Sequence, residues 1–298
     1  MLKQYIDGLE CLRVDKGDIS IQNALEKFNC GDSSDPRSSV AYNMVERFKG
    51  YISDESSFVH DSYYIIKEKN SDEIMLFFSL QASQIYLTQT ISPEDLSELK
   101  YTYNAANCDD CGYGSIPDPD TLKAQMEMFE NLKRYNDKNA TEFANFMQLL
   151  IKVIECKTLD KQNNIYVDRI IPSVEMVNFC KNHNADTKWR ESGFMPAMGA
   201  TLFWYKILPI IEQVSDLIGC TYVSLFAADV DSDDQEQRGK LLAYYQSAFS
   251  FENKQDLGAL KPSYDWKCVF LCQEIKVLSS KKESFEALYL SDVSEDDV

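Results

Sequence analysis

The sequence predicts an α/β domain with mixed strand pairing, flanked by helices and interrupted by a largely helical insertion. Two patterns carry this reading. In the second half of the chain, β-branched and aromatic runs alternate with segments of helical period, giving the order strand, helix, strand, helix, strand. In the first half, two helix patterns precede two strand-like runs, and a long polar stretch then separates the halves.

The elements follow in order. "ISIQNALEKFNCGD" places Ile21, Ala24, Leu25 and Phe28 on one helical face, and Gly31 supplies a stop. Val40, Met44, Val45 and Phe48 repeat that spacing in a second helix closed by Gly50. The period then shortens, and strands are expected over 57–67 and 73–83, joined as a hairpin through "NSDE". Residues 87–162 read as an insertion: a turn-rich start, then amphipathic helices near 121–135 and 141–156. A strand in "IIPSVEMVNFCKN" leads through a loop to a helix from about Gly199 to Ile218, ended by Gly219. A buried strand "CTYVSLFAAD", a short helix around "GKLLAYYQSAF" and a strand "YDWKCVFLCQEI" complete the pattern. The expected organisation is therefore 1–86 and 163–278 as two halves of one domain, 87–162 as the insertion, and 279–298 as an acidic tail.

Composition narrows the chemistry. With 44% hydrophobic residues the chain buries a sizeable core. Thirty Lys plus Arg against 48 Asp plus Glu give a net charge of −18, which lacks the basic footprint of a phosphate-backbone binder, so no nucleic acid is expected. Nine cysteines, an odd number with several in apolar runs, fit a reducing cytoplasm. No window reaches a membrane span's length, so no membrane association is expected. The two histidines, His60 and His183, lie near no metal-spaced set, and Cys108 and Cys111 form a CxxC without a second pair, so no metal site is expected.

The order of elements, together with "LEKFNCGD", "MVERFKGY", "SYYIIKEK", "IPSVEMVNFCKN", "LIGCTYVSLFAAD" and "LLAYYQSAFSFE", resembles the GNAT superfamily of acyl-CoA-dependent N-acyltransferases. The resemblance covers most of the chain outside the insertion and tail. It implies a mixed, mostly antiparallel central sheet flanked by helices, acetyl-CoA as cofactor, and an amine as acceptor. In that family the strand and the following helix splay apart, and main-chain N–H groups at the helix N-terminus hold the pyrophosphate, since unsatisfied amides and the positive dipole end attract an anion. The family's loop carries Gln or Arg, two residues, Gly, one residue, then Gly or Ala; here that falls on Phe194, Met195, Pro196, Ala197, Met198 and Gly199. Only Gly199 conforms, and Pro196 removes a donor.

The same resemblance implies the site residues. Met198, Gly199, Ala200 and Thr201 would bind the cofactor at the helix start, and Phe179 and Cys180 along the strand. Tyr245 would protonate the leaving thiolate, a task that suits a phenol of pKa ~10. Glu175 would act as base toward the attacking amine. The acidic surface favours a cationic acceptor. The departures in the loop keep a second reading open: an inactive GNAT-like binding or regulatory module, with 87–162 as its surface for a protein partner.

Overall fold

In a computed structural model of the chain, the described residues are 2–32, 36–53, 61–69, 71–90, 157–160, 165–227, 235–254, 256–259 and 268–289. Their elements are α1 Leu2–Asp7, β1 Leu9–Arg13, α2 Ile19–Leu25, α3 Pro36–Ile52, β2 Ser62–Glu68, β3 Ile74–Thr90, β4 Lys157–Asp160 and β5 Ile165–Lys181. Then come α4 His183–Glu191, α5 Met198–Leu202, a π-turn Phe203–Ile207, α6 Leu208–Ile218, β6 Tyr222–Ala227, α7 Gln235–Phe249, β7 Leu257–Gly258, β8 Val269–Glu274 and α8 Ile275–Tyr289. The chain divides into two compact units, one of residues 1–85, 171–255 and 259–298, the other of 86–170 and 256–258.

In the first unit the strand order is β1-β2-β3-β5-β6-β8. The sheet is mixed and mostly antiparallel, as the resemblance implied: β1 to β2, β2 to β3 and β6 to β8 are antiparallel, and β5 to β6 is parallel. That parallel ladder is short. It pairs Ser173, Val174 and Glu175 with Tyr222, Val223 and Ser224, whereas β6 stays paired with β8 as far as Ala227. Beyond Glu175, β5 therefore parts from β6. In the second unit, β4 pairs with the first residues of β5, and β7 pairs with Tyr86 and Leu87.

Strand alternation builds a core on each face of the first unit's sheet. Tyr64, Ile66, Leu76, Phe78, Leu80, Val174 and Met176 join the core formed with α5, the π-turn and α6. Tyr63, Ile65, Phe77 and Cys180 join the core capped by α2 and α3, where Phe48 stacks on Tyr63 with ring centroids 4.4 Å apart. Helices α5 and α6 run on through the π-turn, whose widened backbone seats Phe203, Trp204 and Ile207 in the core. The segment ends at Gly219, whose φ of 72° is the left-handed cap a side chain would strain.

Several sequence expectations are corrected. The strand expected from 73 to 83 starts at Ile74 and runs on to Thr90, the strand expected over 57–67 is described as Ser62–Glu68 with 57–60 outside the described residues, and the helix expected to open at Val40 opens at Pro36. Helix α4 replaces the loop expected after "NFCKN": its buried side chains are only Ala185, Asp186 and Trp189, too few to print an apolar period. Elements α1, β1, β4 and β7 were not anticipated. Helix α8 begins directly after β8 without a turn residue, so the region read as an acidic tail from 279 is helical to Tyr289. The two helices expected in the insertion, Cys108, Cys111 and His60 lie outside the described residues.

Truncation of Phe48, which is fully buried against Tyr63 and Phe77, is expected to cost about 3–5 kcal/mol in urea unfolding. Asp18 caps α2, accepting from the Ser20 hydroxyl and from the N–H groups of Ser20 and Ile21, which hold its carboxyl below the usual carboxylate range. Its folded pKa is depressed, so the stabilisation is present above the unfolded value and lost as pH falls through the folded one. Asp18→Ala is expected to lose about 1 kcal/mol at pH 7, the gap from wild type closing below about pH 4.

Candidate functional site

Where β5 leaves β6, the helical segment that opens with α5 comes in. Its cap residue Ala197 makes no side-chain hydrogen bond to the first turn. Thr201 is the first residue to bond back, donating both its N–H (3.0 Å) and its hydroxyl (3.2 Å) to the Ala197 carbonyl. Met198, Gly199 and Ala200 therefore have main-chain N–H groups with no intrahelical acceptor, at a buried helix start carrying the positive end of the dipole.

Gly199 lies beneath two aromatic side chains. A Cβ there would stand 2.6 Å from the Tyr244 hydroxyl and 3.5 Å from the Phe179 ring. Tyrosine packing at the helix start is thus sufficient reason for this glycine, independent of any bound phosphate. Phe179 meets Phe249 at 5.2 Å and Tyr245 at 6.5 Å, and Tyr244 and Tyr245 both pack on Phe249. The aromatic cluster joins β5, the start of α5 and α7.

Burial pushes the Tyr245 hydroxyl above the ordinary phenol value, with the Cys180 thiol adding to the rise. Tyr244 is raised in the same way, by burial first and then by Tyr245 and Asp186. Both phenols are proton carriers throughout the neutral range. The Cys180 side chain sits in the opposite core, 5% exposed, where burial keeps its thiol protonated and unsuited to act as a nucleophile. Glu175, 8% exposed at the last rung of the parallel ladder, accepts a hydrogen bond from Gln81 Nε2 at 3.0 Å.

The loop before α5 is held by packing. Phe194 is wedged between Tyr5 and Trp189, with centroids 5.2 and 5.1 Å away, and Trp189 Nε1 donates to the Pro196 carbonyl at 2.9 Å. Met195 is 75% exposed. Neither Phe194 nor Met195 therefore fills the opening between the strands. Lys181 and Arg190 both pair with Asp186, at 2.8 and 3.5 Å.

The structure brings Phe179, Gly199, Tyr244 and Tyr245 into one cluster and puts Glu175 at the root of the divergence. Sequence reasoning missed Tyr244, Phe249 and Gln81. The resemblance placed the acid at Tyr245 alone, whereas the helical phase of α7 turns both tyrosines of "AYYQ" toward Phe249. No group of three or more metal-ligating side chains occurs among the described residues.

The main-chain donors of Met198, Gly199 and Ala200 and the diverging strands suit an anionic cofactor with a slender amide arm; Pro196 contributes no N–H, and the loop 194–197 contributes no cationic side chain. No family model and no curated protein matches the sequence. Among solved structures, one described as the crystal structure of a bacterial toxin is 8% identical, covering 92% of this chain and 95% of that one, with a TM-score of 0.43. A structure of AtaTR bound with AcCoA is 12% identical, covering 92% and 98%, with a TM-score of 0.41. A KacTA–DNA complex is 9% identical, covering 93% and 99%, with a TM-score of 0.43. The expectation of no nucleic-acid partner rests on the net charge of −18 alone. Among the described residues no helix is long and apolar enough to cross a membrane.

Gly199→Ala is expected to push the Tyr244 hydroxyl off the helix start. The check is a fall in unfolding free energy of about 1 kcal/mol, within the range for overpacking a filled site, which Gly199→Ala combined with Tyr244→Phe partly restores.

Proposed function

We propose that the chain is an N-acetyltransferase of GNAT type that moves an acetyl group from acetyl-CoA to an amine by direct attack. The observation that carries this reading is a parallel ladder that ends at Glu175 beside a helix start with three unsatisfied N–H groups. Met198, Gly199 and Ala200 would hold the pyrophosphate through their amides, with Thr201 closing the turn beneath them, and the β5 backbone at Phe179 and Cys180 would line the pantetheine arm. The amine nitrogen attacks the acetyl carbon, the carbon–sulfur bond breaks, and the departing thiolate takes its proton from a phenol. Tyr245 is the assigned acid; Tyr244, whose hydroxyl overlies Gly199, is the residue against which that assignment is tested. Glu175 accepts the proton that the attacking amine gives up. A cationic amine suits the acidic chain, and its identity is left to a substrate screen.

The second reading is a GNAT-like module that binds without turnover, engaging a protein partner through residues 87–162. Pro196 and Phe194 in the loop, and a Tyr244 hydroxyl already resting on Gly199, favour it. Isothermal titration separates the two: acetyl-CoA binding is expected under the first reading, and no heat at millimolar ligand sinks it.

With an amine panel as acceptor, Tyr245→Phe is expected to lower kcat by about 10²–10⁴-fold, the usual range for losing a general acid, with a smaller effect from Tyr244→Phe. A larger loss in Tyr244→Phe would reverse the assignment. Because burial raises both phenols, the acid stays protonated at all pH values below its raised pKa, so kcat is expected to show no alkaline decline below about pH 10. A decline between pH 7 and 9 would exclude a tyrosine acid.

A further inference from the structure

Alternation along β5 breaks in its middle. Val174 and Met176 face the core shared with α6, and two positions on Asn178 should do the same. Instead the Asn178 side chain reaches Tyr63 and Ser79 on the opposite face, Cys180 follows it into that face's core, and Phe179 takes over the α6 side. That change of face between Met176 and Asn178 is the phase shift that one extra residue in the pleat, a β-bulge, would produce, and such a residue leaves its main-chain N–H and C=O out of the ladder.

Asn178 holds this distortion. Its carboxamide is 2% exposed and donates to Ser79 Oγ at 2.7 Å and to Tyr63 Oη at 3.3 Å. Ser79 in turn donates to Asp61 Oδ2 at 3.4 Å, and Asp61 lies 3.8 Å from the Arg47 guanidinium. The anchor is a chain of polar groups buried in an otherwise apolar region, where satisfied bonds fix one arrangement. An apolar residue at 178 would let β5 slip back into regular pleat, turning Phe179 away from Gly199.

We propose that Asn178 is the positioning residue of the site: by pinning the bulge immediately beyond the last parallel rung, it presents spare main-chain N–H to a carbonyl entering between β5 and β6. This rests on the acetyl-CoA reading, and it adds a residue that acts from the face opposite the ligand, through the backbone. The acetyl carbonyl is the part of the donor that coenzyme A lacks, so the effect should be specific to it.

Isothermal titration of wild type and Asn178→Ala with acetyl-CoA and with free coenzyme A is the test, with thermal melts in parallel. Asn178→Ala is expected to weaken acetyl-CoA about fivefold, the worth of one net hydrogen bond, and to leave coenzyme A unchanged. Where Asn178→Ala does not fold, Tyr63→Phe keeps the stack on Phe48, removes one anchor bond, and is expected to show the same acetyl-specific loss at about twofold. Equal losses for both ligands, or none for either, overturn the role of Asn178 while the acetyl-CoA reading stands. A wild type that binds neither ligand overturns both.

Discussion

The ending of the parallel ladder at Glu175 and Ser224 is the constraint on which the site depends. Two parallel strands that stop sharing hydrogen bonds must each satisfy their backbone elsewhere. β6 does so through β8, with which it remains paired to Ala227. β5 keeps β3 beside it in the sheet order. The edge of β5 that faces the divergence is left as a strip of polar backbone within an aromatic surrounding, which is what an extended amide-bearing ligand would pair with.

An aromatic cluster ties β5 to the helices at the divergence. Phe203 stacks on Phe249 at 4.3 Å, and Phe249 meets Phe179, Tyr244 and Tyr245. Each such ring contact contributes beyond its burial. The π-turn belongs to the same arrangement, since it carries Phe203. Placing ionisable phenols within such packing raises their pKa values by desolvation, so the same packing keeps both phenols protonated. The loop before α5 takes its shape from Tyr5, Trp189 and Phe194, without the polar side chain that the resembled family places there.

Much of the fold was legible because its signals are local. The hydrophobic run after Gly199 reads as a helix, Gly219 ends it, and "TYVSLFA" reads as a buried strand. Elements with a weak apolar imprint escaped: α4 is polar on most of its surface, and α1 and β1 are too short for a period to establish itself. Of the site, Gly199 stood out as a glycine at a strand–helix junction, and Tyr245 through the resemblance. Which neighbours they meet did not.

The sequence by itself determined the mixed class, the order of the long elements, the acidic balance and the position of a glycine between strand and helix. Each of these follows from periodicity, turn chemistry or composition, which act over a few residues. Tertiary structure alone decided that Tyr244 rests on Gly199, that Cys180 faces away from Phe179, and that Asn178 shifts the pleat of β5. Those facts depend on Ser79, Tyr63 and Phe249, residues 70 to 115 positions distant from their partners, and a one-residue change of strand phase has no signature until a second strand is laid beside it.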